Sequence, residues 1–352
     1  MAAAVVDYQG GHHVQLLSGG DELFPSLIEA LAVARHEVWL ATYIFNDDTS
    51  GHRVAEALAA AATRGVRVHV LVDGFGSKPW IPTLRPLFAG AGVRFEVFRP
   101  LHHWWSWLQP QQLRRLHHKL CAVDGKVGFV GGINIIDDRF DQHHGWSASP
   151  RLDFAVRLDG PVAAEIQQVV RALWTRAHLG RGWREELGAL ARSAEPVGRT
   201  VRLLRQLRSP ESDRREAEVR LSRLPPVRAG LVVRDNIRQR RAIERTYIHA
   251  IVNARARVDI ACPYFYPGRR FRRALERAAA RGVRIRLLLQ GKVDYRIAAL
   301  AARVLYDGLL ARGIGIYEYT PAFLHAKVAV VDEQWATVGS SNIDPLSLLL
   351  NL

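Results

Sequence analysis

The chain has 352 residues, 48% of them hydrophobic and 24% charged, the balance of a globular protein long enough for two domains. No stretch reaches the roughly 18–20 consecutive apolar residues of a membrane span. No basic segment followed by an apolar run marks a secretory signal, and the two cysteines exclude a disulfide-stapled fold and fit a reducing compartment. A formal charge of +15, carried mostly by arginine, points to polyanionic partners, either nucleic acid or an anionic membrane.

Along the first half, helices and strands alternate. After an opening helix, "ARHEVWLATYIF" (Ala34–Phe45) has the apolar character of a buried strand. The Ala-rich run 55–63 is a good helix former and closes near Arg-Gly, a C-cap signal. "VRVHVLV" is a second buried strand, and a third helix leads to "AGVRFEVF" (Ala91–Phe98). The same order then returns. "ARARVDIACPYF" (Ala254–Phe265) repeats the first strand at an offset of 220, and "ALERAAARGVRIRLLLQG" (Ala274–Gly291) repeats "ALAAAATRGVRVHVLVDG" (Ala57–Gly74) at 217. "RGIGIYEY" (Arg312–Tyr319) repeats "AGVRFEVF" at 221. The chain is therefore read as a duplication. Alternating strands and helices predict an α/β protein, with helices sandwiching a mostly parallel sheet twice over. Residues 1–180 make the first domain and 229–352 the second. Between them, 181–228 carries 12 Arg against 7 Asp and Glu, with four prolines, and reads as a basic linker with some helix.

One stretch in each half carries chemistry. "RRLHHKLCAVDGKVGFVGGIN" (Arg114–Asn134) is answered by "HAKVAVVDEQWATVGSSN" (His325–Asn342). His117, Lys119, Asp124 and Asn134 align with His325, Lys327, Asp332 and Asn342 at a constant offset of 208. This register separates the adjacent histidines, because His117 aligns with His325 and His118 with Ala326. On a strand, residues two apart share a side, so His117 and Lys119 are expected to point together and His118 away, into packing or solvent. Gly131-Gly132 and Gly339-Ser340 precede the asparagines, where glycine lets a turn bring backbone amides near an anion. A pseudo-twofold would gather two His, two Lys and two Asn around one centre. That set cradles a phosphodiester and offers a nucleophile and a general acid without a metal or other cofactor. His12, His13, His143 and His144 lack the Cys or carboxylate spacing of a metal site.

The first half also carries 13 extra residues ahead of its motif. Trp104, Trp105 and Trp107 lie there without second-half counterparts. Tryptophan favours the membrane–water interface, so the insert reads as a loop that dips into a bilayer beside the site. The alternative is a cover over the protein's own core. Asp137, Asp138 and Asp141 form an acidic cluster, read as a solvated loop or a clamp for Lys or Arg. Tyr264 and Tyr266 follow a strand end, where α/β sites form, and are candidates for an acceptor pocket.

The paired H-x-K-x4-D and G-G/S-x-N motifs resemble the signature of the phospholipase D superfamily. Within it the chain is most similar to bacterial cardiolipin synthases of the short kind without N-terminal membrane helices. "RGVRVHVLVDGFGS", "VGGINI", "LDFAVRLDGP", "YFYPGRRFRRAL" and above all "WATVGSSNIDPLSLLLN" carry the resemblance, which extends over nearly the whole chain. It implies two pseudo-symmetric phospholipase D-like α-β-α sandwich domains with the active site at their interface. One histidine would attack phosphorus to give a phosphohistidine. The other would protonate the leaving alcohol and then deprotonate the incoming one. By this analogy His117 is the nucleophile and His325 the acid/base, with Lys119, Lys327, Asn134 and Asn342 on the phosphate oxygens. Asp124 and Asp332 would hold the motif loops. Gly132, Ser340 and Asp153 would serve as substrate contacts or support, Asp153 orienting one histidine. The implied activity is phosphatidyl transfer between two phosphatidylglycerols with release of glycerol. It would belong to a peripheral enzyme on the cytoplasmic side of a bacterial inner membrane, with no nucleic acid and no obligate protein partner. The rival readings are a hydrolase of phosphatidyl lipids, a nuclease of the same superfamily, and a non-catalytic membrane scaffold. The family continues past "SLLLNL" with a glutamate and a further element, so the second domain is expected to be C-terminally truncated.

Overall fold

The structure, a computed structural model, describes residues 6–100, 115–142, 144–190, 227–233, 241–292 and 303–344. The first half runs β1 (Gln9–Ser18), α1 (Gly19–Ala32), β2 (Glu37–Thr42), α2 (Thr49–Thr63), β3 (Arg67–Asp73), α3 (Ile81–Gly90) and β4 (Arg94–Phe98). It continues with β5 (Leu120–Val123), β6 (Val127–Gly131), the small pair β7 (Phe140–Asp141) and β8 (Gly145–Trp146), β9 (Phe154–Asp159) and the long α4 (Val162–Leu190). After β10 (Val227–Ala229) come α5 (Ala242–Asn253), β11 (Arg257–Ala261), α6 (Arg269–Ala280), β12 (Arg284–Gln290), α7 (Tyr306–Leu310), β13 (Gly315–Tyr319), β14 (Val328–Val331) and β15 (Trp335–Val338).

The strands form an eight-stranded sheet in the order β10-β1-β9-β6-β5-β2-β3-β4 and a five-stranded sheet in the order β13-β12-β11-β14-β15. The second sheet repeats β4-β3-β2-β5-β6 strand for strand. Register is repeated too: Val38 stands opposite Val123, as Val258 stands opposite Val331. Both sheets are mixed, which corrects the expectation of mostly parallel ones. β2–β3–β4 and β11–β12–β13 are parallel, while the motif strands pair antiparallel to their neighbours. The reason is connection length. Parallel neighbours need a crossover, which the helices supply, whereas a tight turn joins β5 to β6 and forces a hairpin.

Local sequence explains the repeated helix ends. Gly65 and Gly282 take left-handed backbone at φ 92° and 89°. That turn lets the Val66 and Val283 amides reach back to the Ala61 and Ala278 carbonyls. The arginine before each glycine caps the preceding helix: Arg64 donates to the Leu31 carbonyl at 2.8 Å, and Arg281 to those of Val252 and Ala254 at 2.9 and 3.1 Å. Helices α1 to α3 cover one face of the first sheet, burying Leu31, Leu58 and Phe88. α4 covers the other face, with Ile166 and Val170 against Leu71 and Ala122. In the second half α5 to α7 enclose a core around Ile251, Leu275 and Leu287. Each such side chain contributes about 1.5–3 kcal/mol on leaving water, so these layers hold the motif strands in place.

The halves are stitched by backbone. Leu152 forms a bridge with Leu324. Its amide donates to the Phe323 carbonyl at 2.9 Å, and its carbonyl accepts from the His325 and Ala326 amides at 2.8 and 3.0 Å.

The motif aspartates sit in the hairpin turns, both at φ 52°. Asp124 accepts from the amides of Arg35, His36 and Glu37 at 2.8 Å. Asp332 does the same for Arg255, Ala256 and Arg257 at 2.5–2.8 Å. Each carboxylate thus pins its turn to the start of the neighbouring strand. Those hydrogen bonds, led by the one from Arg257, hold the Asp332 carboxyl below its ordinary range. A depressed folded-state value stabilises the fold above pH about 4, and that contribution fades as pH falls. Asp332→Ala is expected to lower stability by about 1 kcal/mol at pH 7. In urea titrations the gap to wild type should narrow at pH 3, and a gap unchanged there would refute this role.

Candidate active site

The two motifs meet where the halves join. Regular pairing begins one residue after each motif lysine, at Leu120 and Val328, so each H-x-K segment lies in the extended approach to its strand. Lys119 Nζ donates to the His117 carbonyl at 3.0 Å, and Lys327 Nζ to the His325 carbonyl. Both lysines are almost wholly buried, at 6% and 2% exposure. Burial and then the Lys327 ammonium push Lys119 well below its ordinary range; burial pushes Lys327 down to about 8. The Asp153 carboxylate opposes the shift in both. Two buried ammonium groups that share the Asp153 counter-charge form a site that gains from an arriving anion.

Asp153 lies just ahead of β9 and is 2% exposed. Its Oδ2 is 2.6 Å from His325 Nδ1, across the join between the halves. This bond fixes His325 with its proton on Nδ1 and leaves Nε2 for the reacting centre. Burial pushes the Asp153 carboxyl up to about 6. Gly132 makes room for it, since a Cβ there would lie 2.2 Å from the carboxylate. At Gly339, one residue ahead of Ser340, an added Cβ would meet nothing within 4 Å.

His117 is held differently. Its ring sits 5.2 Å from that of Tyr43, and Lys119 Nζ lies 5.2 Å over the same Tyr43 ring. Among the described residues its Nδ1 has no hydrogen-bond partner. A backbone hydrogen bond with Ser340 favours its charged form, but burial and then the Lys119 and Lys327 charges hold it well below its usual value. Burial and then Lys327 do the same to His325, against the pull of the Asp141 carboxylate. Both imidazoles are therefore neutral near pH 7, the form that attacks phosphorus or takes a proton. Asn134 Oδ1 accepts from the Ile44 amide at 3.2 Å. Asn342 Oδ1 is buried without a partner among the described residues.

A cavity of about 490 Å³ opens from His117, Lys327 and Ser340 between the halves. Val14, Val130 and Val156 wall one side, and Tyr247 and Trp335 the other. Trp335 Nε1 donates to the Tyr8 hydroxyl at 2.9 Å, a contact across the two halves at the cavity wall. His118 also borders this cleft, so it does not turn wholly away from the site as the strand alternation predicts. The alternation fails because the regular strand starts only at Leu120. Tyr264 and Tyr266 do not line the cavity. Trp104, Trp105 and Trp107 lie outside the described residues. Of the acidic cluster, Asp138 takes the Gly20 amide and Asp141 stands 4.0 Å from Arg151. Sequence reasoning passed over Tyr43 and Arg151. Arg151 is nevertheless close enough to act electrostatically on both motif lysines, His325 and Asp153. Its one visible signal was its place two residues ahead of Asp153.

The sequence matches the family described as cardiolipin synthase, PLD-like domain, over residues 27–174 and 247–352. It is 36% identical over 348 residues to cardiolipin synthase B of Escherichia coli K12, covering 98% of this chain and 76% of that protein. It is 37% identical over 350 residues to cardiolipin synthase B of Salmonella typhi, with the same coverage. Among solved structures, the fold is that of phosphatidylserine synthase from Haemophilus influenzae, with a TM-score of 0.61 at 12% identity over 98% of this chain and 82% of that one.

The Asp153–His325 bond sets a pH dependence. As pH falls through about 6, Asp153 takes a proton and loses the negative charge that strengthens its bond to His325 Nδ1. Turnover of a phosphodiester substrate is expected to drop on that limb. Asp153→Asn should lower kcat on the order of 10²-fold and abolish the limb. A pH–rate profile of the variant that keeps the wild-type acid limb would exclude Asp153 as its source.

Proposed function

The chain belongs to the cardiolipin synthase family of phospholipase D-like proteins, and we propose that it is a phosphatidyltransferase that joins two phosphatidylglycerols into cardiolipin and releases glycerol. One observation carries the reading: His117 and Lys327 border an apolar cleft, and Lys119 and His325 lie close enough to act on the His117 charge. The lysines suit the phosphodiester anion, and the cleft suits lipid chains while keeping water scarce.

In this reading the substrate phosphate lies between Lys119 and Lys327, with Asn134 and Asn342 on its remaining oxygens. Its negative charge favours the charged form of His325, which takes a second proton from solvent on Nε2 as substrate binds. A ring nitrogen of His117 attacks phosphorus. The bond to the glycerol oxygen breaks, and His325 gives that oxygen its proton from Nε2. Asp153 steadies the ring through Nδ1 throughout. His325 then takes the proton from the hydroxyl of a second phosphatidylglycerol. That oxygen attacks phosphorus, the nitrogen–phosphorus bond breaks, and His117 is restored. Each half, 1–180 and 229–352, supplies one H-x-K pair, with 181–228 as the connection. We place the enzyme peripherally on the cytoplasmic face of a bacterial inner membrane, where a charge of +15 complements anionic lipid. Trp104, Trp105 and Trp107 would enter the interface there. No helix among the described residues is long and apolar enough to cross a membrane.

Mass spectrometry of phosphatidylglycerol vesicles incubated with the full chain tests this. Cardiolipin and glycerol are expected in equal amounts, and His117→Ala and His325→Ala should each cut them by about 10³-fold or more. Phosphatidic acid in place of cardiolipin would make water the acceptor and the protein a hydrolase. No lipid turnover at all would overturn the lipid reading.

A further inference from the structure

Strands β3 and β12 are apolar runs that each end in one polar residue, Asp73 and Gln290, followed by a glycine. Each glycine amide bonds to the strand beyond, Gly74 to the Phe98 carbonyl at 2.8 Å and Gly291 to that of Tyr319 at 3.0 Å. The side chains ahead of them also act alike. Asp73 Oδ2 accepts from the Leu116 amide at 2.8 Å, and Gln290 Oε1 accepts from the Leu324 amide at 2.7 Å. Leu116 and Leu324 are buried residues immediately ahead of His117 and His325. The bond spans 43 residues in one half and 34 in the other. It is kept although the intervening chain differs in length and in sequence. From these contacts we infer that Asp73 and Gln290 are a matched pair of positioning residues, which set the approach of His117 and His325 to the reacting phosphorus.

The physical need is plain at both places. Regular strand pairing begins at Leu120 and Val328, four residues beyond each leucine. No strand pairing takes up the leucine amide, since even the Leu152–Leu324 bridge uses the Phe323 carbonyl and the His325 amide instead, and a buried amide requires an acceptor. A side chain from the end of the neighbouring strand provides it and fixes the height of the next residue. The two anchors differ in charge. Asp73 is fully buried, and its other oxygen accepts from Phe75 and Gly76 at 2.8 and 3.2 Å, with the Arg115 guanidinium 3.8 Å away. Its negative charge also favours the Lys119 ammonium. Gln290 brings no charge. Neither residue borders the cleft, so both act through the histidines rather than on substrate.

The inference concerns the transfer reaction proposed above, and its test separates the two. In the full chain, Gln290→Met keeps length and bulk but removes the acceptor, whereas Gln290→Glu keeps an acceptor oxygen. Three quantities would be measured: kcat and KM for cardiolipin formation on phosphatidylglycerol vesicles, the thermal midpoint, and the deshielded Nδ1 proton of His325 by NMR of the labelled imidazole. Gln290→Met is expected to lower kcat at least tenfold with KM within twofold, and to broaden or lose the His325 proton signal. Gln290→Glu should restore both. Asp73→Asn leaves only one acceptor oxygen and removes a charge, so the alkaline limb of activity, where Lys119 loses its proton, should move to lower pH. A Gln290→Met protein with wild-type kcat and an intact His325 signal would overturn the inference. So would one whose activity falls only in proportion to its folded fraction. If wild type forms no cardiolipin, the lipid reading fails, and the imidazole signal still decides the anchor.

Discussion

The site depends on one carboxylate. Asp153 is almost without solvent, stands against His325 of the other half and offsets two buried ammonium groups. Isolated ammonium groups at that depth would lose their protons rather than stay charged. Asp153 opposes that loss in both, although burial still pushes Lys327 down to about 8. The site is thus short of negative charge by design of its residues. A phosphodiester supplies what is missing, and a neutral molecule of the same shape does not.

The duplication is carried by backbone more than by side chains. Bridges Phe45–Ile135 and Phe265–Ile343 recur at equivalent places, as do the arginine-capped helix ends and the aspartate-pinned turns. What differs between the halves is charge and cover. Tyr43 packs on His117, while the aligned position in the second half is Pro263. Asp73 stands where the second half has Gln290. Two chemically identical histidines thereby sit in different electrostatic surroundings, which is what a two-step transfer with separate nucleophile and proton carrier requires.

Much of this was legible in the sequence, because a repeat is its own alignment. The offset of 208 paired His117 with His325 without any outside comparison. The Ala-rich helices and the Arg-Gly stops were plain from propensity and backbone chemistry. Strand direction was not, because apolar runs look the same in parallel and antiparallel sheets, and only the short Asp124–Gly125 connection hinted at a hairpin. His118 misled because strand alternation was applied ahead of the residue where pairing begins. The grip of Asp73 and Gln290 on the next segment was invisible for another reason. It joins residues far apart in sequence, and its only mark is a polar side chain closing an apolar strand in both copies.

The seam at Leu152 has a consequence for motion. Three backbone hydrogen bonds there bind the first half to the segment that carries His325. Hinging the halves apart at this edge would break them together with the Asp153–His325 contact. For a product as bulky as a four-chain lipid, a clamshell opening of the halves would therefore take the reacting centre apart. The apolar cleft bordered by Tyr8 and Trp335 offers a way out that leaves this seam intact. The reacting centre can then stay assembled from one turnover to the next.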